Sequence, residues 1–160
     1  MKLFIIAGSL AVALAFGACS SQKASTARSS QEISTAFDEQ SYQFQATFLQ
    51  PSRGRMRQIV GNYFMKVEKD RISADLPYFG RAYSAPIGGD GGIKFVSEKF
   101  TYDVKPIKNG GREVTIRVQD SQVVRDLFLT VFPDGSADLR VTPQNKTFIS
   151  YRGDVVPLAK

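Results

Sequence analysis

Residues 100–118 read FTYDVKPIKNGGREVTIRV. Phe100, Tyr102 and Val104 alternate with Thr101, Asp103 and Lys105, and Val114, Ile116 and Val118 alternate with Thr115 and Arg117. A period of two sends one set of side chains to a buried face and the other to water, the pattern of a half-buried strand. Between the runs stands Asn109-Gly110-Gly111, residues that take positive φ at little cost. The segment therefore predicts a hairpin.

The same period extends in both directions. Downstream, Leu127, Leu129 and Val131 form one run, Pro133-Asp134-Gly135 a turn, and Ala137, Leu139 and Val141 the return. Gln144-Asn145-Lys146 turns again before Ile149 and Tyr151. Asn145-Lys146-Thr147 also fits a glycosylation sequon, and the plainer reading is turn chemistry. Upstream lie Ile93 to Phe95, then Ile72, Ala74 and Leu76, then Tyr63, Met65 and Val67 beyond a tight turn near Lys69-Asp70. Tyr42, Phe44, Ala46 and Phe48 alternate with Gln43, Gln45 and Thr47. That makes about nine short strands with no long helical period between them, which excludes parallel βαβ units. The expected fold is all-β: an antiparallel meander forming a strongly curved or barrel-like sheet, with a β-sandwich as the alternative. One short helix is expected over 29–40, where Ser29 and Glu32 have capping-box spacing and Ile33 and Phe37 share a face.

The chain has 160 residues, 42% hydrophobic and 22% charged, which suits one domain with a real core. It has no His and a single Cys, so an imidazole base, a His-ligated metal, a disulfide and a cysteine zinc site are all excluded. No cofactor is expected. Asp70, Asp75, Asp103 and Asp120 are scattered over turns and polar strand faces, and nothing fixes a glycosidase-type pair. Ser20-Ser21-Gln22-Lys23 has Ser-Lys hydrolase spacing, but no strand or helix signal surrounds it to preorganise a site. The expectation is a protein that is not an enzyme.

The N-terminus reads as an address. Met1-Lys2 is basic and Leu3 to Phe16 is an apolar run, shorter than the about 20 residues a membrane-spanning helix takes. Phe16-Gly17-Ala18-Cys19 resembles a bacterial lipoprotein box, with Phe16 where Leu or Val is usual. The expected organisation is a signal peptide over 1–18, a tether with the short helix over 19–40, and a single β domain over 41–157. Cys19 would be acylated and hold the chain to a membrane. Removing Lys2 leaves a modestly basic chain, which gives no reason to expect a nucleic-acid partner.

Leu76-Pro77-Tyr78-Phe79-Gly80-Arg81-Ala82-Tyr83, joined to Gly92-Ile93-Lys94-Phe95 and Phe100-Thr101-Tyr102, resembles an uncharacterised family of Bacteroidota lipoproteins, domain of unknown function 4251. Tyr42-Gln43-Phe44, the Pro51 to Gly54 turn, and Asn145 with Ile149-Ser150-Tyr151-Arg152-Gly153 fit the same pattern, over about residues 41 to 154. The resemblance implies a secreted, lipid-anchored β domain in the cell envelope and supplies no catalytic residues. In such lipoproteins an acidic run after the lipidated Cys resembles a surface-export signal. None follows Cys19, so the expected location is the outer membrane, facing the periplasm.

Two segments are candidate sites. Tyr78, Phe79, Arg81 and Tyr83 gather aromatic and Arg side chains, common anchors at binding surfaces. The plainer reading is a plug over one end of the sheet. Arg53, Arg55 and Arg57 alternate, and in an extended chain would form one patch for an anionic ligand; the plainer reading is a solvated basic loop. Gly88-Gly89-Asp90-Gly91-Gly92 lacks the ending of a P-loop, and Asp90 alone does not make a calcium site. The expected partners are an envelope protein or glycan, and alternatively a small apolar ligand held inside the curved sheet.

Overall fold

The structure, a computed structural model, describes residues 30–80 and 91–158. One helix, α1 (Ser30–Asp38), precedes β1 (Tyr42–Pro51), β2 (Arg57–Gln58), β3 (Phe64–Glu68), β4 (Arg71–Leu76), β5 (Ile93–Ser97) and β6 (Phe100–Pro106). Then follow β7 (Arg112–Val118), β8 (Val124–Val131), β9 (Ser136–Pro143) and β10 (Ile149–Pro157). All ten strands belong to one antiparallel sheet, ordered β5-β4-β3-β1-β10-β9-β8-β7-β6, with β2 a short addition to β1. The barrel-like expectation holds and the sandwich does not. The extra strand is β2, too short to carry a period.

How the sheet closes follows from its order. Eight antiparallel pairings separate β5 from β6 along the path. That number is even, so the two terminal strands run in the same sense. Only Glu98 and Lys99 lie between them in the chain. They therefore act as one bent strand: its first half pairs with β4, its second with β7, and the sheet curls into a barrel with eight strand positions. At eight, the interior is just wide enough for side chains to fill it. Tyr42, Phe44, Met65, Ile72, Ile116 and Leu129 do so with no exposure.

The bend is held from outside. Asp120, just after β7, accepts hydrogen bonds from Ser97 Oγ and from the backbone N–H of Glu98 (3.0 Å) and Lys99 (3.1 Å). The Ser97 hydroxyl and then the Glu98 amide hold the Asp120 carboxyl below its ordinary value. Beyond the bend, β6 is an edge. Gln119 N–H bonds to Lys99 O and Ile107 N–H to Gly111 O. Both pairs lie on the β6–β7 register, so odd-numbered residues of β6 face β7. The even-numbered Phe100, Tyr102 and Val104 turn their N–H groups away from the ladder. For the same reason these three inward side chains are only half-buried, while those of β7 are buried.

Helix α1 stoppers one end of the barrel. Ile33, Ala36 and Phe37 are buried, and the Phe37 ring lies 4.4 Å from that of Tyr42. Burying Ile33 and Phe37 contributes about 1.5–3 kcal/mol each. Arg112 donates to Asp38 Oδ1 (3.0 Å) and to Ser34 Oγ, tying the helix to β7. The helix ends earlier than the sequence predicts. Ser41 N–H bonds to Ala36 O, Gln40 N–H bonds to Phe37 O, and Gln40 sits at φ 51. This is a Schellman ending with Gln at the position where Gly is usual, so no residue type announces it.

The alternation of β1 also needs one correction. Leu49 is buried and Phe48 only half so, because a bulge between Ala46 and Phe48 inserts Thr47 and reverses the faces beyond it. Thr47 Oγ1 then reaches Arg152 O at 3.1 Å. At this bulge Gly153 opposes Ala46, and a Cβ on Gly153 would overlap the backbone carbonyl of Gln45. Gly153→Ala is expected to destabilise the fold by at least the about 1–3 kcal/mol typical of overpacking, because the obstacle is backbone. Denaturant midpoints of the variant and the parent chain check this.

Asp120 gives a second test. Its folded-state pKa is depressed, so the stability it contributes is full above the unfolded value of about 3.9 and is lost as pH falls through the lower folded value. Melting temperatures of the parent chain and Asp120→Asn should differ at neutral pH, the parent being higher, and converge as pH falls below the ordinary aspartate value. Equal melting temperatures at neutral pH would show that the bend needs no clasp.

Candidate functional site: the rim opposite the helix

Antiparallel strands place alternate connections at opposite ends of a barrel. The helix end gathers α1, the β3–β4 turn, the β6–β7 turn and the β8–β9 turn. The far end, the rim, gathers the β1–β3 excursion (52–63), the β4–β5 connection, the β7–β8 connection (119–123) and the β9–β10 turn (144–148).

The rim is built on clamped backbone. Tyr151, buried at the start of β10, donates its hydroxyl to Pro77 O at 2.7 Å. Tyr78 Oη donates to Thr147 O at 3.1 Å and lies 2.9 Å from Thr147 Oγ1. Lys146 stands 4.8 Å above the Tyr78 ring and donates to Gly91 O (2.7 Å) and Gly92 O (3.2 Å). The β4–β5 and β9–β10 connections thus lock together with the start of β10 at this end. Burial raises the pKa of Tyr151 far above the usual tyrosine value, with Tyr78 adding to the effect.

Of the first candidate segment, Tyr78 takes part in this clamp, while Phe79 is 57% exposed. Arg81 and Tyr83 lie outside the described residues, as does Cys19. Arg53, Arg55 and Arg57 are all exposed and carry no ion pair among the described residues. They do not form one extended row: residues 52–54 bend, with Gly54 at φ 143, and only Arg57 enters a strand, opposite Leu49. They spread round the tip of the excursion instead.

Several rim residues escaped the sequence reading. Met56 (42% exposed), Val60 (91%) and Phe148 (39%) are large apolar side chains in the same connections. Arg140 lies 4.2 Å over the Phe148 ring. The available signal was Phe148 itself, an aromatic residue out of step beside a polar turn.

The two ends differ in charge. Among the described residues, the rim connections carry Arg53, Arg55, Arg57 and Lys146 against one acid, Asp120, whose carboxylate is taken up at the bend. The helix end carries Glu32, Asp38, Glu39, Asp70 and Asp134 against Lys69, Lys108 and Arg112, the last paired with Asp38. Two hollows, of about 420 and 380 Å³, flank α1 at that acidic end. The larger is walled by Ile33, Phe37 and Phe132 and has Arg112 on its polar side. A third, of about 250 Å³, lies beside Met56 and Tyr151 at the rim. Among the described residues no cluster of acidic or Cys side chains has the makings of a metal site.

Fold and ends together define a small antiparallel barrel, stoppered by a helix at one end and carrying, among the described residues, exposed cationic and apolar side chains at the other. The family described as Domain of unknown function (DUF4251) matches residues 24–155, and the chain belongs to it. A crystal structure of a DUF4251 family protein from Bacteroides eggerthii DSM 20697 is similar: TM-score 0.61 and 18% identity, covering 82% of this chain and 89% of that one. At that identity the likeness shows the fold. No curated protein matches the chain.

Three tyrosines report on the barrel. Burial raises Tyr42 well above the ordinary value and pushes Tyr102 up to about 12, and their hydroxyls meet at 3.2 Å. Of the six tyrosines, Tyr42, Tyr102 and Tyr151 should ionise only above about pH 10. Each folded pKa is raised, so stability is full below about pH 10 and lost as pH climbs through the folded values. Ultraviolet titration of tyrosinate should show a delayed phase that coincides with unfolding; a single phase near the ordinary value would contradict the buried positions.

Proposed function

We propose that the chain is a cell-envelope lipoprotein: a non-catalytic binding or accessory module, held to the outer membrane through acylated Cys19 and facing the periplasm. The observation that carries this reading is the opposition of the two ends. The chain enters at Ser30, at the helix end, while the exposed aromatic and unpaired cationic side chains stand at the rim. A tether on one end leaves the other free to meet a partner. The clamp by Tyr78, Tyr151 and Lys146 supports the same reading, since a rigid base spares the ordering cost of binding. The partner class is an envelope protein or glycan.

A photo-crosslinking residue at Phe79, in cells making the full chain, is expected to capture a defined partner, and one at Phe132 on the helix end is not. Capture that is absent from both sites, or equal at both, would overturn the reading. Labelling of the chain by a fatty-acid analogue that persists in Cys19→Ala would overturn the anchor.

A carrier of a small apolar ligand is the second reading, and the 420 Å³ hollow beside α1 is what favours it. That volume lies in the range of ordinary ligand sites, about 300–1,000 Å³. Native mass spectrometry of protein released gently from its own membrane distinguishes the two: a defined extra mass supports the carrier, and the bare chain mass removes it.

A further inference from the structure

Among the described residues a surplus of cations and exposed apolar side chains coincide on the rim, and the coincidence narrows the ligand. Of the seven large apolar side chains most exposed among the described residues, four stand in rim connections: Met56, Val60, Phe79 and Phe148. Only Phe132 stands in a connection at the helix end. Interspersed with the four are the arginines 53, 55 and 57 and Lys146. A soluble acidic glycan or an acidic protein face would explain the cations. It would give no return for leaving Val60 at 91% exposure and Met56 at 42% on the same excursion. Cations at headgroup level with aliphatic and aromatic side chains that enter the acyl boundary are what a lipid surface rewards. The opposite end has no such surplus of cations among the described residues: its five acids stand against Lys69, Lys108 and Arg112, and Arg112 is paired with Asp38.

We infer that the 52–63 excursion of the rim docks on an anionic phospholipid surface, with Arg53, Arg55 and Arg57 on the headgroup phosphates and Val60 and Met56 dipping below them. The inference rests on the tethered reading above, since a tether is what brings the domain near such a surface. If Cys19 carries the anchor, the ten residues from Ser20 to Ser29 can span about 35 Å, comparable to the length of a ten-residue strand. The domain can then turn over and set its rim on the leaflet that holds its anchor.

The test uses the full lipidated chain with an environment-sensitive dye on Val60→Cys, reconstituted in phosphatidylcholine vesicles or in the same vesicles with about a third phosphatidylglycerol. Val60 is nearly fully exposed, so the substitution leaves the core untouched. Acylated Cys19 does not take the dye. The expected result is an emission shift to the blue only on the anionic vesicles. It should be lost at about 0.5 M salt, where screening reaches within a few ångströms. It should also be lost in Arg53→Gln/Arg55→Gln/Arg57→Gln, and be absent for the same dye on Phe132→Cys. No shift on either vesicle, an equal shift on both, or an equal shift at Phe132 would overturn the inference. Capture of soluble heparin by the three arginines without any vesicle shift would also overturn it, while leaving the rim as a binding end. A chain that fails to float with either vesicle would instead refute the anchor.

Discussion

The bend between β5 and β6 is the constraint on which the rest of the structure depends. An open nine-strand path would leave two edges and an interior exposed along its whole length. Because the terminal strands are consecutive and run in the same sense, one bent strand serves both ends of the sheet, and closure comes from the chain itself rather than from a ladder of hydrogen bonds. Asp120 holds that bend through contacts to Ser97, Glu98 and Lys99. Everything inside follows: at eight strand positions the side chains meet across the axis, so Phe44, Met65 and Leu129 fill the space that a wider barrel would leave hollow.

Most of the barrel can be read from period two alone. The runs at Ile72 to Leu76, Val114 to Val118, Leu127 to Val131 and Ala137 to Val141 place the right side chains inside, because uninterrupted alternation admits only one pairing of faces. The misreadings share a cause. Phe48 and Leu49 exchange faces because a bulge adds one residue without any mark in the sequence. Helix α1 stops early because Gln40 takes a conformation that Gly or Asn would have advertised. Phe100, Tyr102 and Val104 point inward as their period predicts, yet stay half-exposed, since alternation cannot say which strand lies at an edge.

The rim was less accessible to sequence reasoning than the fold. The arginines at 53, 55 and 57 stand out by composition, but that their excursion shares an end with Lys146 and Phe148 follows only from the strand order. The hydroxyl of Tyr78 bonds to the β9–β10 turn, next to the exposed Phe79, a contact that no local pattern announces. The charge division between the ends is likewise a property of topology. It arises because alternate connections, far apart in the chain, share an end.

The outward-facing amides of β6 carry a consequence for crowded surroundings. A strand edge with unpaired N–H groups is a template on which a stranger chain can polymerise into fibrils. Here that edge runs past Asp103 and Lys105, charged and paired with each other at 3.2 Å, and ends in Pro106, which has no N–H to offer. An added strand would have to approach a charged flank and lose its last rung. Among the described residues the margin along β6 is open, and the residues along it make it a poor seed.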